Sequence, residues 1–537
     1  MSTDAPSGRI IWPAASGVVA AAAFLAVSEL LAVLFARAST PLLAVGSFVV
    51  DVVPRPIKEF AISAFGEADK PVLLGGLAVA ALVVAAVAGI LEIRRRGLGV
   101  LVFAAATVVA TAAVLTRSGT GALAWIPPVA GGVAGAGVLV LLTSRLRGWA
   151  RHEGRGPATD AAPAAASDRP SIASDAPQSM ARRSFFRVAA IASVGAVLAG
   201  AGAAVVRAGT STIGAVREAL LLPSPRSRVA VPAAAELGIP GLSPVITPNA
   251  DFYRVDTALS VPTVDPSTWR LSIDGLVEER MELGFDDLVA MGLDEYAITL
   301  TCVSNEVGGD LVGNAVWLGV PVRDVLRLAR PRASADMVLS RSVDGFTAST
   351  PLSSLTDDGL DAILAVGMNG EPLPLEHGFP VRMVVPGLYG YVSATKWLTE
   401  LRVTTFADDE AYWTPRGYSA RAPIKFSSRV DTPKLGTSVP AGRVPIAGVA
   451  WAQTVGIERV EVRIDDGAWQ EARLAEAINA DTWVQWVLEW DAEPGTHYLT
   501  VRATDRAGRL QIEEPAAIAP DGSTGWQRTL VTVTDDD

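Results

Sequence analysis

The stretch Ile298-Thr299-Leu300-Thr301-Cys302-Val303-Ser304-Asn305-Glu306 carries an apolar, strand-like run (297–302) straight into polar residues. It ends on the only cysteine of the 537-residue chain. A lone cysteine at a strand end is ordinarily a small buried hydrophobe. Here polar residues follow at once, and nearby glycines allow close backbone approach. A thiolate suits a soft, redox-active metal, and metal binding removes the thiol proton. From its own surroundings Cys302 therefore reads either way, as packing or as a ligand.

Outward from that point, residues 250–405 are short and mixed in pattern. Strand-like pieces fall at 269–274, 297–302, 336–340 and 381–385, and helix-like pieces at 285–291 and 321–330. Asp274-Gly275, Asp344-Gly345, Asn369-Gly370 and Pro386-Gly387 mark turns between them. This predicts an α+β domain with no βαβ repeat and no glycine motif for nucleotides. From about 423 the pattern is all-β, with strands at 444–451, 458–464, 484–490, 496–504 and 528–534. Val460-Glu461-Val462-Arg463-Ile464 alternates as a half-buried strand does. The spacing predicts an immunoglobulin-like sandwich, with Trp451, Trp469, Trp483, Trp486 and Trp490 as its core or an interface.

The first half is different. Mean hydropathy is +0.35 although aromatics are only 6%, and the excess of Ala, Val, Leu and Gly lies before residue 210. Stretches 11–36, 71–93, 97–116 and 121–143 are long and apolar enough to cross a bilayer. Segment 41–53 is too short, ends before Pro54 and Pro56, and reads as an interfacial or re-entrant piece. A fifth span is expected at 185–206, after a linker (152–181) rich in Ala, Pro, Ser and Asp that reads as disordered. Arg94-Arg95-Arg96, then Arg145, Arg147 and Arg151, then Arg182, Arg183 and Arg187 fall on one side of such a membrane. That side is cytoplasmic by the positive-inside rule, so everything after about 207 lies outside. Arg182-Arg183-Ser184-Phe185-Phe186 before an apolar run reads as an internal twin-arginine export signal or a simple positive anchor. Glu29 is the main acid within a span, read as paired or interfacial rather than functional. Gly131, Gly132 and Gly135 read as close helix packing.

Composition also excludes. A net charge of −11 argues against nucleic acid. One cysteine rules out internal disulfides, multi-thiolate zinc and thiolate iron–sulfur clusters. The three histidines, His152, His377 and His497, lie outside apolar stretches, so no haem is expected in this chain.

Three blocks together resemble the sulfite-oxidase-type molybdopterin enzymes. Thr301-Cys302 through Asn305, with Trp317-Leu318-Gly319-Val320-Pro321-Val322-Arg323-Asp324, is similar to the family's molybdenum-binding region. The sharpest block is Met368-Asn369-Gly370-Glu371-Pro372-Leu373-Pro374-Leu375-Glu376-His377-Gly378-Phe379-Pro380-Val381-Arg382, followed by Val385-Pro386-Gly387 and Lys396-Trp397. Val449-Ala450-Trp451 with Asp466-Gly467-Ala468-Trp469 resembles its C-terminal dimerisation domain. The resemblance covers about 245–537 and none of the membrane half.

The resemblance implies a molybdenum–molybdopterin cofactor with Cys302 as the one protein ligand to the metal. It implies that His377 and Arg382 bind the pterin or its phosphate, where a guanidinium fork and an imidazole suit phosphate oxygens. Ser393, Ala394, Thr395 and Lys396 match a phosphate-wrapping segment. Asp344 matches a cofactor acid or is a turn aspartate. Asn249, Phe252 and Tyr253 resemble the cofactor-contacting segment of the bacterial periplasmic methionine-sulfoxide-reductase branch, and Arg254 is placed to meet an anion. Sulfite oxidases carry a tyrosine just before Met-Asn-Gly, where this chain has Val366-Gly367, and an Arg-Asn-His triplet where it has Arg254-Val255-Asp256.

The expected organisation is a four-span region (1–150), a cytoplasmic linker (151–183), a fifth span (184–207), a molybdopterin domain (240–420) and an immunoglobulin-like domain (423–537). The expected activity is two-electron oxygen-atom transfer outside the membrane, with a separate cytochrome- or quinone-linked electron partner and a homodimer through the C-terminal domain. A sulfoxide reductase fed by a membrane donor and a cofactor-free scaffold are the alternatives.

Overall fold

The computed structural model describes residues 8–35, 41–53, 69–116, 123–153, 187, 190, 210–258 and 260–535. The expected fifth span and the twin-arginine stretch lie outside the described residues. Two compact units divide the chain near Thr210.

The first unit is helical: α1 (Gly8–Phe35), α2 (Pro41–Val52), α3 (Asp69–Arg94), α4 (Leu98–Leu115) and α5 (Ile126–Glu153). Four of these, all but α2, are long and apolar enough to cross a membrane. At 12 residues α2 is too short, as its sequence implied. Helix α1 packs along α3 and α5, and glycine makes the approach close. A Cβ on Gly17 would meet the Ala85 carbonyl at 1.8 Å, and one on Gly131 would meet Ser28 Oγ at 2.0 Å. Glu29 is buried and partnered. A second buried acid, Glu92 near the end of α3, takes the amides of Gly97 (3.0 Å), Gly99 (3.2 Å) and Val100 (3.4 Å). Helix α4 opens on Gly97, a left-handed residue with no side chain to cap it, so a carboxylate from the preceding helix caps the free amides instead.

The second unit opens with α6 (Thr210–Ala219) and holds three sheets. The first has the order β2-β1-β10-β5-β6, built from β1 (Arg270–Gly275), β2 (Met281–Gly284), β5 (Met337–Ser342), β6 (Thr347–Pro351) and β10 (Leu398–Thr404). Only β1 and β10 in it are parallel, Ser272 opposite Glu400. Its core is capped by α7 (Phe285–Ala290) and by α8 (Val322–Ala329). Helix α8 buries Val322, Val325, Leu326 and Ala329, one stripe at helical spacing. A five-residue helix, α9 (Leu352–Thr356), follows β6.

The second sheet carries the site. It has the order β3-β4-β7-β8, from β3 (Asp294–Thr301), β4 (Val312–Pro321), β7 (Ile363–Met368) and β8 (Glu371–Pro372), with β9 (Arg382–Val384) also on β7. Every residue of β7 is buried.

The C-terminal half has eight strands: β11 (Ser427–Thr432), β12 (Ser438–Pro440), β13 (Gly442–Trp451), β14 (Ile457–Ile464), β15 (Trp469–Leu474), β16 (Val484–Ala492), β17 (Gly495–Asp505) and β18 (Gln527–Thr534). They follow one path, β11-β13-β16-β15-β14-β17-β18-β12. The turn between layers is made by β15, which pairs β14 through Trp469–Ala472 and β16 through Arg473–Leu474. Valines, Ile446, Leu499, Trp486 and Trp490 fill the space between. Trp451 and Trp483 are buried instead with Val312 and Val449, against the end of β4. Trp469 is only half-buried, beside Trp526.

Candidate active site

Cys302 is the first residue after β3, where the chain leaves the sheet for the loop that returns as β4. Its amide donates to the Leu311 carbonyl (2.9 Å), and Asn305 N donates to the Cys302 carbonyl (3.0 Å). The Ser304 amide points at Sγ (3.4 Å). The thiol is 8% exposed; burial pushes its pKa up, and the Ser304 amide pulls it back. Cys302 lines a cleft of about 930 Å³, open solvent at its mouth included.

His377, Arg382 and Lys396 meet in the same cleft. His377 closes a short 3-10 turn (Leu375–His377), and Arg382 opens β9, opposite Ala365 of β7. Gly378 lies between them at φ +111, and a Cβ there would press on the Cβ atoms of Arg382 (3.0 Å) and Lys396 (3.1 Å). Glycine is what lets the two cations approach.

Arg382 is buried and donates to the carbonyls of His377 (3.1 Å) and Ala394 (3.5 Å). Its guanidinium lies over Trp317, 5.0 Å from the ring centroid. Its Nε is buried with no partner, and burial lowers its pKa to about 10. His377 Nε2 meets the Asn249 carbonyl (3.1 Å). A carbonyl only accepts, so that nitrogen carries the proton. Burial, then the charge of Arg382, lowers the imidazole to about 4, so it is neutral at ordinary pH. Lys396 Nζ donates to Asp256 (2.7 Å) and to the Glu376 carbonyl (3.0 Å). Burial lowers it to about 8 against the pull of Asp256.

Phe252 and Tyr253 stack on one another (5.3 Å), with Phe252 edge-on to both Trp317 and His377. Both line the cleft, as do Ala394 and Asp344. Asp344 also accepts from Thr257 Oγ1 (3.2 Å) and the Phe346 amide (3.2 Å), so it is a turn aspartate as well. Four other sequence candidates lie outside the lining. Asn249 is engaged with Glu371, Met368 and Asn369, and reaches the site only through its carbonyl on His377. Arg254 is ion-paired to Asp256 (2.9 Å). Ser393 donates into the carbonyls of Leu388 and Tyr389. Thr395 is hydrogen-bonded to Ser340 (2.7 Å).

Sequence reasoning missed a further wall. Phe346, Tyr391, Trp413 and Tyr418 line the cleft, with Trp413 edge-on to Tyr418 (5.3 Å) and Tyr418 to Tyr391 (5.5 Å). Trp413 and Tyr418 come from the loop between β10 and β11. The one signal was the run of aromatics, Tyr412, Trp413 and Tyr418, within the segment between β10 and β11.

The donor set fits a molybdopterin. A single cysteine lines a cleft whose lining also includes Arg382, a buried guanidinium with an orphaned Nε and no carboxylate partner among the described residues. That combination offers one metal ligand and a seat for an anionic or hydrogen-bonding group.

Residues 258–413 match the family model described as oxidoreductase molybdopterin binding domain. Mitochondrial sulfite oxidase of Rattus norvegicus is 31% identical over 342 residues, 54% of this chain and 62% of that protein. An uncharacterized oxidoreductase of Bacillus subtilis (strain 168), YuiH, is 35% identical over 157 residues, 29% of this chain and 75% of that protein. Among solved structures, the sulfane dehydrogenase SoxCD from Paracoccus pantotrophus aligns at 24% identity and a TM-score of 0.48, over 53% of this chain and 81% of that one. The chain thus spans about 62% of the length of the mammalian sulfite oxidases it matches.

Proposed function

The chain belongs to the sulfite-oxidase-type molybdopterin-dependent oxidoreductases, and from that premise we propose a membrane-anchored, extracytoplasmic enzyme that transfers an oxygen atom to or from a small oxo-substrate. Membership in an enzyme family sets aside the reading as a cofactor-free scaffold. When bound, the molybdenum–molybdopterin supplies the two-electron redox chemistry. Cys302 is its protein ligand. Arg382 holds the pterin or its phosphate as a cation, and neutral His377, whose one proton goes to the Asn249 carbonyl, offers its other ring nitrogen to a pterin donor. Phe252 and Tyr253 exclude water over it. Lys396, with Arg254 and Asp256, sets the charge at the cleft's edge.

Electrons pass to or from a separate partner, cytochrome- or quinone-linked, since each oxygen transfer leaves the cofactor two electrons richer or poorer and turnover must return it. The helical region (1–150), the linker (151–183) and a fifth span (184–207) anchor the enzyme. The molybdopterin domain (240–420) and an immunoglobulin-like domain (423–537) stand outside, the latter serving a homodimer. The four apolar helices and the one-sided arginines support that topology.

The observation that carries the reading is that the only cysteine of the chain lines the same cleft as Arg382, a buried cation whose Nε has no hydrogen-bond partner. The test is metal content and turnover of Cys302→Ala. Loss of turnover is expected, whether or not the pterin keeps its metal; normal molybdenum-dependent turnover in that variant overturns the assignment.

A second reading, reduction of organic sulfoxides, is favoured by Val366 and by the aromatic wall. Val366 is fully buried in β7, where sulfite oxidases place a tyrosine. The wall of Phe346, Tyr391, Trp413 and Tyr418 suits an organic substituent better than a bare inorganic anion. A side-by-side assay of sulfite and alkyl or aryl sulfoxides separates the two.

A further inference from the structure

Cys302 is gripped on both sides by the C-terminal β half, and we infer that Gln453 and Ser523 of that half are positioning residues for its thiol. The consequence for catalysis rests on the reading of Cys302 as the metal's ligand; the positioning itself does not.

Strand β3, which ends at Cys302, is an edge strand. Strand β4 covers one side of it. The other side presents free backbone groups, which an edge must satisfy or cover. No strand does so. The Ala297 carbonyl takes Asn479 Nδ2 (2.9 Å), the Thr299 amide donates to the Asp481 carbonyl (3.0 Å), and the Thr299 carbonyl takes Gln453 Nε2 (2.5 Å). Thr299 Oγ1 takes the Trp483 amide (2.9 Å) and donates to Asn314 Oδ1 (3.0 Å), which ties β3 to β4 as well. Thr299 has no exposed surface, and Gln453 very little.

The loop after Cys302 is held in the same way. The Asn305 carbonyl takes Ser523 Oγ (2.7 Å), and the Gly309 carbonyl takes Arg429 Nη1 (2.8 Å). Arg429 is itself fixed by Asp431 (2.6 Å), both being buried. Gly308, at φ +80, lies so close to Gln527 that a Cβ would stand 2.8 Å from its side chain. Cys302 is thus bracketed by fixed points three residues before it, at Thr299, and three after it, at Asn305. All of them are anchored on residues beyond 420. A ligand needs its supporting groups held to about half an ångström, and side chains on a distant segment supply that here. Without them the edge strand and its loop would open locally long before the fold is lost.

Because Cys302 is the only cysteine, a thiol reagent reads this site alone. The experiment measures Cys302 labelling in the full-length, cofactor-free chain well below its unfolding temperature. Gln453→Met keeps the shape but removes the donor, and Ser523→Ala removes one oxygen. Each leaves a buried carbonyl without its partner, so labelling is expected to speed up about tenfold or more. Ser523→Thr should restore the parent rate. His497→Ala is the control: it breaks the pair with Asp465 (2.8 Å), whose further partner is the Tyr498 amide of the same β-half turn and not the Cys302 loop. It should lower the melting temperature and leave labelling unchanged.

In the holoenzyme, Gln453→Met is expected to shift the sulfur-to-molybdenum absorption band. Labelling rates in Gln453→Met and Ser523→Ala no faster than in the parent or in His497→Ala would overturn the proposal. Should Gln453→Met fail to fold, Ser523→Ala decides alone. If instead Cys302→Ala keeps normal molybdenum-dependent turnover, the ligand assignment fails while the labelling result stands.

Discussion

The guanidinium of Arg382 lies 5.0 Å from the centroid of the Trp317 ring and meets no carboxylate among the described residues. A buried cation without a counter-charge costs stability unless a ligand completes it. The cost falls on the empty protein and the benefit on the loaded one, so the two states respond oppositely to substitution.

Arg382→Met should therefore stabilise the cofactor-free chain while weakening cofactor retention. By analogy with other buried charges the gain is about 1–3 kcal/mol, read by denaturant unfolding. Retention is read by molybdenum content after gel filtration. A less stable cofactor-free variant would show that the guanidinium is a structural element and not a waiting seat.

His377 gives a pH dependence with a definite sign. Its folded pKa is about 4 against 6.5 unfolded, so the unfolded chain binds the extra proton. The contribution to stability is fully present above about pH 6.5 and is lost as pH falls toward 4. A gap of roughly two and a half pH decades corresponds to about 3–4 kcal/mol at most. His377→Gln should flatten the acid limb of the stability profile of the cofactor-free chain between those limits. An unchanged slope in that variant would place the acid sensitivity elsewhere.

The aromatic wall leads to a substrate prediction. Trp413→Ala and Tyr418→Ala should raise KM for aryl sulfoxides about tenfold or more, as expected for one lost ring contact. They should change turnover of the smallest inorganic oxo-substrates little. Equal losses on both substrate classes would mean that the loop supports the site and does not contact substrate.

The parts of this site that were legible in the sequence are those whose chemistry is contiguous. Cys302, His377 and Arg382 lie in two short blocks, and the spans announce themselves by length and hydropathy. Strands with one wet face, such as β14, showed in their alternation. Strands β4 and β7 did not, because both their faces are buried and a continuous apolar run has no period to read. Ser393 and Thr395 belong to the matched block, yet their hydroxyls are satisfied inside the protein; motif membership does not say which way a side chain points. Trp413 and Tyr418 reach the cleft from more than a hundred residues beyond Cys302, a distance that only the fold closes.

Glu92 shows the same limit in the helical unit. Read from sequence, a carboxylate at the end of an apolar helix merely marks the boundary of a span. In the fold it is buried, accepts three amides of the next helix and pairs with Arg147 of α5 (3.5 Å). One side chain thus ties together α3, α4 and α5. Helix α4 starts at a left-handed glycine that cannot cap itself, so no other group of its own first turn replaces the carboxylate. Glu92→Ala should cost the detergent-solubilised protein about 1–3 kcal/mol, the range for a lost cap with buried amides left open. Glu92→Gln keeps one acceptor oxygen and should cost less. Thermal unfolding followed by helical circular dichroism orders the three proteins. If the alanine variant melts with the parent, the amides find other acceptors, and the junction is not what fixes these helices.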